Sequence, residues 1–334
     1  MSPKISPRLL KLQNRLSNSA RAVGAEASAG AKADANVDDR IFLAYKPPSV
    51  GSNAFLSRFK RVLRCTKAGF SGTLDPFAKG VLLIATGNYT KLLPHLPLSQ
   101  KRYVATLWLG LQSESLDIEN VRSVAVIPPL QSGRVRDVVE SMRGVHAYTP
   151  PRFCAKRIDG KRAYTLARLG HDVALAPSRM EIFNIALLHY NHPFVSFSVS
   201  VSKGTYVRSI GEMIAQQLGV CGALCSLERV REGYFGFDTC STFAKQNSIL
   251  RACDFKQIRL AELDIHKMLA YPVLCLSSLR EHFYQGKKLN KDMIKFKGNG
   301  RFIVNFEDFF SIIEAGETDV KYLVNRIKNV DFGA

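Results

Sequence analysis

Residues 69–86 read Gly69-Phe70-Ser71-Gly72-Thr73-Leu74-Asp75-Pro76-Phe77-Ala78-Lys79-Gly80-Val81-Leu82-Leu83-Ile84-Ala85-Thr86. The apolar run from Val81 to Thr86 predicts a short strand buried on both faces. The residues before it form a loop with a single carboxylate, Asp75, between glycines. Glycine admits positive φ and close approach of a ligand. Pro76 pushes Asp75 away from the helical region toward an extended conformation. A carboxylate on a shaped loop that feeds a rigid strand is well placed for chemistry. Taken alone, Asp-Pro between glycines is also ordinary turn composition, so the rest of the chain has to decide.

Upstream, Ile41-Phe42-Leu43-Ala44-Tyr45 reads as a strand, and Lys46-Pro47-Pro48-Ser49-Val50-Gly51 as a turn. Ser52 or Asn53 is placed to cap a helix whose apolar face is Phe55, Leu56, Phe59, Val62 and Leu63. Its other face carries Arg58, Lys60, Arg61 and Arg64 with no acid among them, a pattern that favours phosphate. Downstream, Tyr103, Ala105, Leu107 and Leu109 alternate along a strand that starts after Lys101-Arg102. Residues 134–143 read as a helix with Val135, Val138, Val139 and Met142 on one side. In 152–170, cations, a glycine and Tyr164 interleave, as on a surface that grips a nucleic-acid backbone and stacks bases. Val195, Phe197, Val199 and Val201 alternate with serines, the clearest strand pattern in the chain. That strand runs through Lys203-Gly204-Thr205-Tyr206-Val207-Arg208 into a helix for which Ser209 and Glu212 fit a capping box. Arg208 therefore sits near a helix N-terminus, where a guanidinium can clamp a carboxylate or phosphate.

With 47 Lys and Arg against 28 Asp and Glu, the 334-residue chain carries a formal net charge of +19. Such a surplus points to a polyanionic partner, most simply nucleic acid. A basic membrane-surface helix is not evident, and no apolar run is long enough to span a bilayer. The cysteines, at 65, 154, 221, 225, 240, 253 and 275, include no C-x-x-C pair. They read as buried, reduced thiols of a cytoplasmic protein, and no metal site is expected. Residues 1–40 read as a basic, disordered tail; its composition would also suit a transit peptide. From about residue 266 a smaller unit follows, with a helical turn or two in 276–283 and strands at 301–305 and 309–314. It is too short to bury much core alone and is expected to dock on the main domain.

Three motifs, in order, carry a resemblance. They are Gly72-Thr73-Leu74-Asp75-Pro76 with Gly80, then Lys101-Arg102-Tyr103, then Ser202-Lys203-Gly204-Thr205-Tyr206-Val207-Arg208. Weaker agreement comes from Lys46-Pro47, Asp117, the 152–170 segment and Leu227-Glu228-Arg229. Together they resemble the TruB family of tRNA pseudouridine synthases, from about Ile41 to about Ile265. The resemblance implies an α/β fold of α+β type, a pseudouridine synthase core on a mixed, largely antiparallel sheet. The catalytic domain would span 41–265, with an RNA-gripping insertion at about 145–172. Residues 266–334 would form a small PUA-like RNA-binding domain.

The substrate implied is uridine 55 in the T-loop of tRNA, held through the T-arm. Asp75, Tyr103 and Arg208 would be the catalytic residues. Asp75 would be the catalytic carboxylate, Tyr103 the ring that stacks on the uracil and helps remove the C5 proton, and Arg208 the partner of Asp75. Lys46, Phe70, Lys101, Lys203, Tyr206 and Leu227 would contact substrate. The isomerisation exchanges one bond of uracil for another without redox change, so no cofactor is expected, and no obligate protein partner is implied. The carboxylate could serve as nucleophile or assist glycal formation, and the target base must leave the RNA stack to be reached.

Two positions depart from the family pattern: Phe70 stands where a histidine is usual, and the family's glycine and first serine are exchanged in Lys46-Pro47-Pro48-Ser49-Val50-Gly51-Ser52. Other readings are a guide-RNA-dependent relative, against which the 152–170 segment argues, and an RNA chaperone without catalysis. A chaperone has no use for Asp75, Tyr103 and Arg208 together.

Overall fold

The computed structural model describes residues 39–158, 160–239, 260–296 and 298–329. The expected tail lies outside the described residues except for Asp39 and Arg40, and Cys240 and Cys253 lie outside them too. The chain enters as β1 (Ile41–Lys46), forms α1 (Ser52–Val62) and returns through β2 (Ala68–Phe70) to β3 (Lys79–Thr86). β1 and β3 pair antiparallel, from Ile41 opposite Ala85 to Lys46 opposite Gly80. One face packs Phe42, Ala44, Leu82 and Ile84 against Phe55 and Phe59 of α1. The opposite face sends Ile41, Leu43, Val81 and Leu83 into a second core. Burial on both sides is why these strands are continuously apolar.

The start of α1 differs from expectation. Gly51 is its N-cap and no side chain caps it. The Ser52 hydroxyl instead accepts from the Leu74 amide (3.0 Å) and donates to the Leu74 carbonyl (2.9 Å). Val62, expected in the apolar stripe, is 37% exposed, because the stripe is narrow and centred on Phe55 and Phe59.

Next come β4 (Gln100–Leu109), the hairpin β5 (Leu111–Ser113) and β6 (Val121–Val124), α2 (Ser132–Ser141) and β7 (Gly144–Tyr148). The small hairpin β8 (Arg157–Ile158) and β9 (Lys161–Arg162) precedes α3 (Ala163–Arg168). The long hairpin β10 (Ser178–Asn191) and β11 (Phe194–Ser202), then α4 (Val207–Gln217), β12 (Gly222–Glu232) and β13 (Leu260–Glu262), complete the region. Among the described residues nine strands form one mixed sheet, ordered β13-β1-β3-β12-β4-β11-β10-β7 with β2 on β3. All its pairings are antiparallel except β3 with β12. At that parallel contact Gly80, at φ +115°, lies against the Arg229 backbone, leaving no room for a Cβ. α2 and α4 bury Val135, Val139, Ile210, Ile214 and Leu218 against β4, β11 and β12.

The capping box expected at Ser209 does not form. α4 begins three residues earlier, after Tyr206, because the Ser202–Thr205 turn already bends the chain and Val207 gains burial inside the first turn. Ser209 is thereby buried within the helix.

The C-terminal part contains α5 (Ile265–Leu269), β14 (Val273–Leu274), α6 (Arg280–Gln285), β15 (Leu289–Asn290) and α7 (Lys291–Ile294). β16 (Gly300–Asn305), β17 (Phe309–Ala315) and β18 (Asp319–Lys328) follow. Its five-stranded sheet, ordered β14-β16-β17-β18-β15, has a core of its own around Phe283, Phe302 and Ile313. It is also joined to the large sheet. Ile303, Phe310, Ile312, Val324 and Ile327 lie in one cluster with Ile41, Leu43, Val81 and Leu83.

The cysteines correct the expectation of uniform burial. Cys65 and Cys154 are buried, but Cys221 and Cys225 are half-buried and Cys275, just after β14, is exposed. Among the described residues no helix is long and apolar enough to cross a membrane.

Candidate active site

Asp75 lies on the loop between β2 and β3, which is held from three sides. Ser52 clasps Leu74, the Ser71 amide donates to the Leu83 carbonyl (2.9 Å), and the Ala78 amide closes a turn on the Asp75 carbonyl (3.1 Å). The Asp75 carboxylate faces Arg208, in the first turn of α4. Nη2 donates to Oδ1 at 3.1 Å, and Nε stands 2.9 Å from Oδ2 as an ion contact rather than an aligned hydrogen bond. A two-point guanidinium–carboxylate contact fixes both orientation and charge.

Arg208 is 2% exposed, and both its terminal nitrogens are engaged. Nη1 donates to the Ser115 carbonyl (2.6 Å) and to Asp117 Oδ2 (3.3 Å), and Nη2 to the Phe153 carbonyl (2.8 Å). Asp117, buried in the β5–β6 connection, accepts from the Ser115 hydroxyl (2.5 Å) and the Glu119 amide (2.9 Å). Burial pushes its carboxyl above the usual range, against the pull of Ser115 and Arg208. Asp117 thus shares Arg208 with Asp75, a pairing that its place among Glu114 and Glu119 in an acidic loop does not by itself disclose.

Two cavities meet at Asp75. One, of about 240 Å³, is lined by Asp75, Lys101, Tyr103, Lys203, Tyr206 and Leu227, with Gly72–Leu74. The other, of about 260 Å³, is lined by Asp75, Phe70, Glu119, Arg162, Tyr164 and Arg168 among others. The first is large enough for one pyrimidine and has an aromatic and an aliphatic wall. In the second, Arg162 and Arg168 stand 6.0 and 5.6 Å from the Tyr164 ring centre, so the segment around α3 reaches the site. Phe70 lines this second cavity, not the one with Tyr103.

Burial raises the Tyr103 hydroxyl above its ordinary value; Arg229 opposes the shift and Glu232 adds to it. Burial also raises Tyr206, aided by its contact with Cys154. Lys203 is exposed at the cavity mouth, whereas Lys101 is buried and 3.0 Å from Glu232.

Lys46 is the expected substrate contact that the structure does not bring to either cavity. It is fully buried, and its ammonium donates to the carbonyls of Pro47 (2.9 Å), Val50 (2.7 Å) and Pro76 (3.4 Å). It ties the turn before α1 to the Asp75 loop, which is why it points inward. Burial lowers its pKa to about 8, with the Asp75 charge opposing.

The family model described as TruB family pseudouridylate synthase (N terminal domain) matches residues 60–207. The chain is 47% identical over 293 residues to tRNA pseudouridine synthase B of Helicobacter hepaticus, covering 87% of this chain and 96% of the relative. It is 42% identical to the protein of that name from a Nitratiruptor species, covering 86% of this chain and 98% of the relative. For the Campylobacter jejuni protein the identity is 40%, with 87% and 99% covered. Among solved structures, a chain of a Cbf5-Nop10-Gar1 complex matches with a TM-score of 0.57 at 21% identity, covering 86% of this chain and 85% of that one. A chain of an H/ACA RNP bound to a substrate RNA containing 2′-deoxyuridine matches with a TM-score of 0.56 at 18% identity, covering 90% and 93%. At that identity these two speak for the fold alone.

Proposed function

The chain belongs to the TruB family of pseudouridylate synthases, and from that premise we propose that it isomerises uridine 55 in the T-loop of tRNA, with Asp75 as the catalytic carboxylate. The observation that carries this reading is the Asp75–Arg208 pair, set where a pyrimidine-sized cavity walled by Tyr103 and Leu227 opens. The relatives' name supplies tRNA as the substrate; the charge of +19 suits such a polyanion. The T-loop position and the residue roles rest on the motifs. The division into a catalytic domain at 41–265 and a PUA-like RNA-binding domain at 266–334 is part of the same proposal.

In this reading the target uridine leaves the stack and its ring enters between Tyr103 and Leu227. The C1′–N1 bond breaks, and its electron pair leaves with the uracil. Asp75 either bonds to C1′ or helps remove a ribose proton; both routes start from the carboxylate held by Arg208. The ring turns, C5 bonds to C1′, the C5 proton is lost and N1 gains one, so no atom enters or leaves overall. Phe70, Tyr164 and the arginines beside it serve the flanking RNA through stacking and phosphate contact.

The test is pseudouridine formation on an unmodified tRNA transcript, with wild type and Asp75→Asn compared. Product at position 55 from wild type, with Asp75→Asn inactive yet binding tRNA within about a few-fold, is the expected result. Turnover by Asp75→Asn would remove Asp75 from the mechanism, and product at another position would remove the T-loop assignment.

A further inference from the structure

Beneath the Asp75 loop lies a second buried ion cluster, outside the Asp75–Arg208–Asp117 group. Glu232, 1% exposed, places Oε1 3.0 Å from Lys101 Nζ; its Oε2 is 2.5 Å from the Ser71 hydroxyl and 3.3 Å from Arg229 Nη2. Arg229, fully buried, donates through Nε to the Val81 carbonyl (2.8 Å) and through Nη2 to the Gly72 carbonyl (3.1 Å). The loop rests directly on these groups. Gly72 has φ +32°, and a Cβ there would collide with the Lys101 ammonium and come within 3.1 Å of Glu232 Oε1.

The charges of the two clusters do not balance separately. Lys101 and Arg229 against Glu232 leave one positive charge in surplus. Arg208 against Asp75 and Asp117, all ionised, leaves one negative. On the Asp75 side Lys46 and Glu119 add one charge of each sign, and Arg162 and Arg168 line the second cavity. A buried ion network whose only task is stability gains from neutrality, since an uncompensated buried charge is costly. Here the two surpluses meet one cavity, the negative cluster through Asp75 and the positive cluster through Lys101.

This arrangement matches the charge that develops when a glycosidic bond breaks. The ribose C1′ becomes electron-poor, and the uracil takes the electron pair and becomes an anion. We infer that the two clusters polarise the C1′–N1 bond, and that Lys101 is a catalytic residue that holds the negative charge leaving on the uracil ring. Glu232 and Arg229 are its positioning residues: Glu232 anchors the ammonium, and Arg229 fixes the loop through the Val81 and Gly72 carbonyls. Preorganised charge aimed at the departing group, in a site shielded from water, is among the most effective devices for lowering a barrier. The inference rests on the reading of the cavity as the uracil site.

The experiment compares single-turnover conversion of two tRNA transcripts, one carrying uridine and one 5-fluorouridine at the target, by wild type and by Lys101→Met. The readout is loss of the original nucleoside from digested RNA. Fluorine withdraws electrons and stabilises the uracil anion, so help from Lys101 matters less. Lys101→Met is expected to lose about a hundredfold or more on uridine, and at least about tenfold less than that on 5-fluorouridine, with tRNA affinity held within a few-fold. Equal losses on both transcripts would assign Lys101 a structural role and overturn the inference. Should Lys101→Met fail to bind tRNA, Lys101→Gln, which keeps a hydrogen-bond donor to Glu232, undergoes the same comparison: a smaller loss on 5-fluorouridine supports the inference, and equal losses overturn it. Wild type that converts neither transcript would overturn the reading of the function itself, an outcome distinct from equal losses.

Discussion

Glu232 is a carboxylate enclosed by protein, with two cations and a hydroxyl for company. Burial alone would raise its pKa; Arg229 and Lys101 outweigh it, aided by Ser71, and the net shift is downward from 4.5. A lowered carboxylate stabilises the fold fully above its unfolded pKa, and that contribution drains away as pH falls below 4.5 through the folded value. Wild type is therefore expected to lose urea resistance over the acid interval below about pH 4.5. Glu232→Gln should start lower, because it leaves Lys101 and Arg229 without their counter-charge, and should change less across the same interval. An identical pH slope in the two proteins would mean that Glu232 is not the titrating group. At this scale the sequence was legible where a residue stood in a motif: Asp75, Tyr103, Arg208 and Leu227 meet at one cavity or its edge. Lys46 shows the limit of motif reading. The motif located it, but its inward direction depends on three carbonyls brought together by separate loops.

Elements explain why Glu232 carries no mark of its role in the sequence, and why Arg229, though part of a weak motif, gives no sign of its partner. Along an ideal strand, residues three apart point to opposite faces. β12, however, shifts register against β4 between Arg229 and Arg231, a bulge that turns Glu232 inward beside Arg229. No periodicity in Leu227–Glu232 announces that. The unexpected helix starts near Ser52 and Ser209 share one feature. Both serines suit an N-cap by type, but each helix has its N-cap before its serine, leaving the Ser209 hydroxyl buried without a hydrogen-bond partner among the described residues, and at Ser52 the consequence is functional. Its hydroxyl makes two hydrogen bonds to Leu74, 22 residues away, and so fixes the residue before Asp75. Ser52→Ala leaves the buried Leu74 amide and carbonyl without that partner, at a cost of about 1–3 kcal/mol. Turnover on tRNA should fall more than affinity does, since the change slackens the loop that carries the carboxylate rather than the surface that holds RNA. Equal effects on kcat and on affinity, or none on either, would detach α1 from the positioning of Asp75.

Across the whole molecule, composition alone points to a polyanionic partner, whereas the mixed, mainly antiparallel sheet was implied by the family resemblance that the motifs carry, and the structure has such a sheet. The joining of the two sheets could not be read so. Ile41, Leu43 and Leu83 look like residues of a self-contained strand pair, yet they share a core with Phe310, Ile312 and Ile327, more than two hundred residues on. The small sheet is thereby two-sided: Phe302 and Ile313 face its own core, and Ile303 and Ile312 face the large sheet's side. A unit that completes its neighbour's core should not unfold independently of it. Ile312→Ala, at a fully buried position, should cost about 2–5 kcal/mol. The loss should appear as a single earlier transition, in which near-ultraviolet signal from Trp108 in the large sheet and protection of β17 amides in the small one disappear together. Two separated transitions, with Trp108 melting at its original midpoint, would show that the shared cluster is a contact between independent domains. Coincident melting would mean that the geometry around Asp75 depends on strands at the far end of the chain.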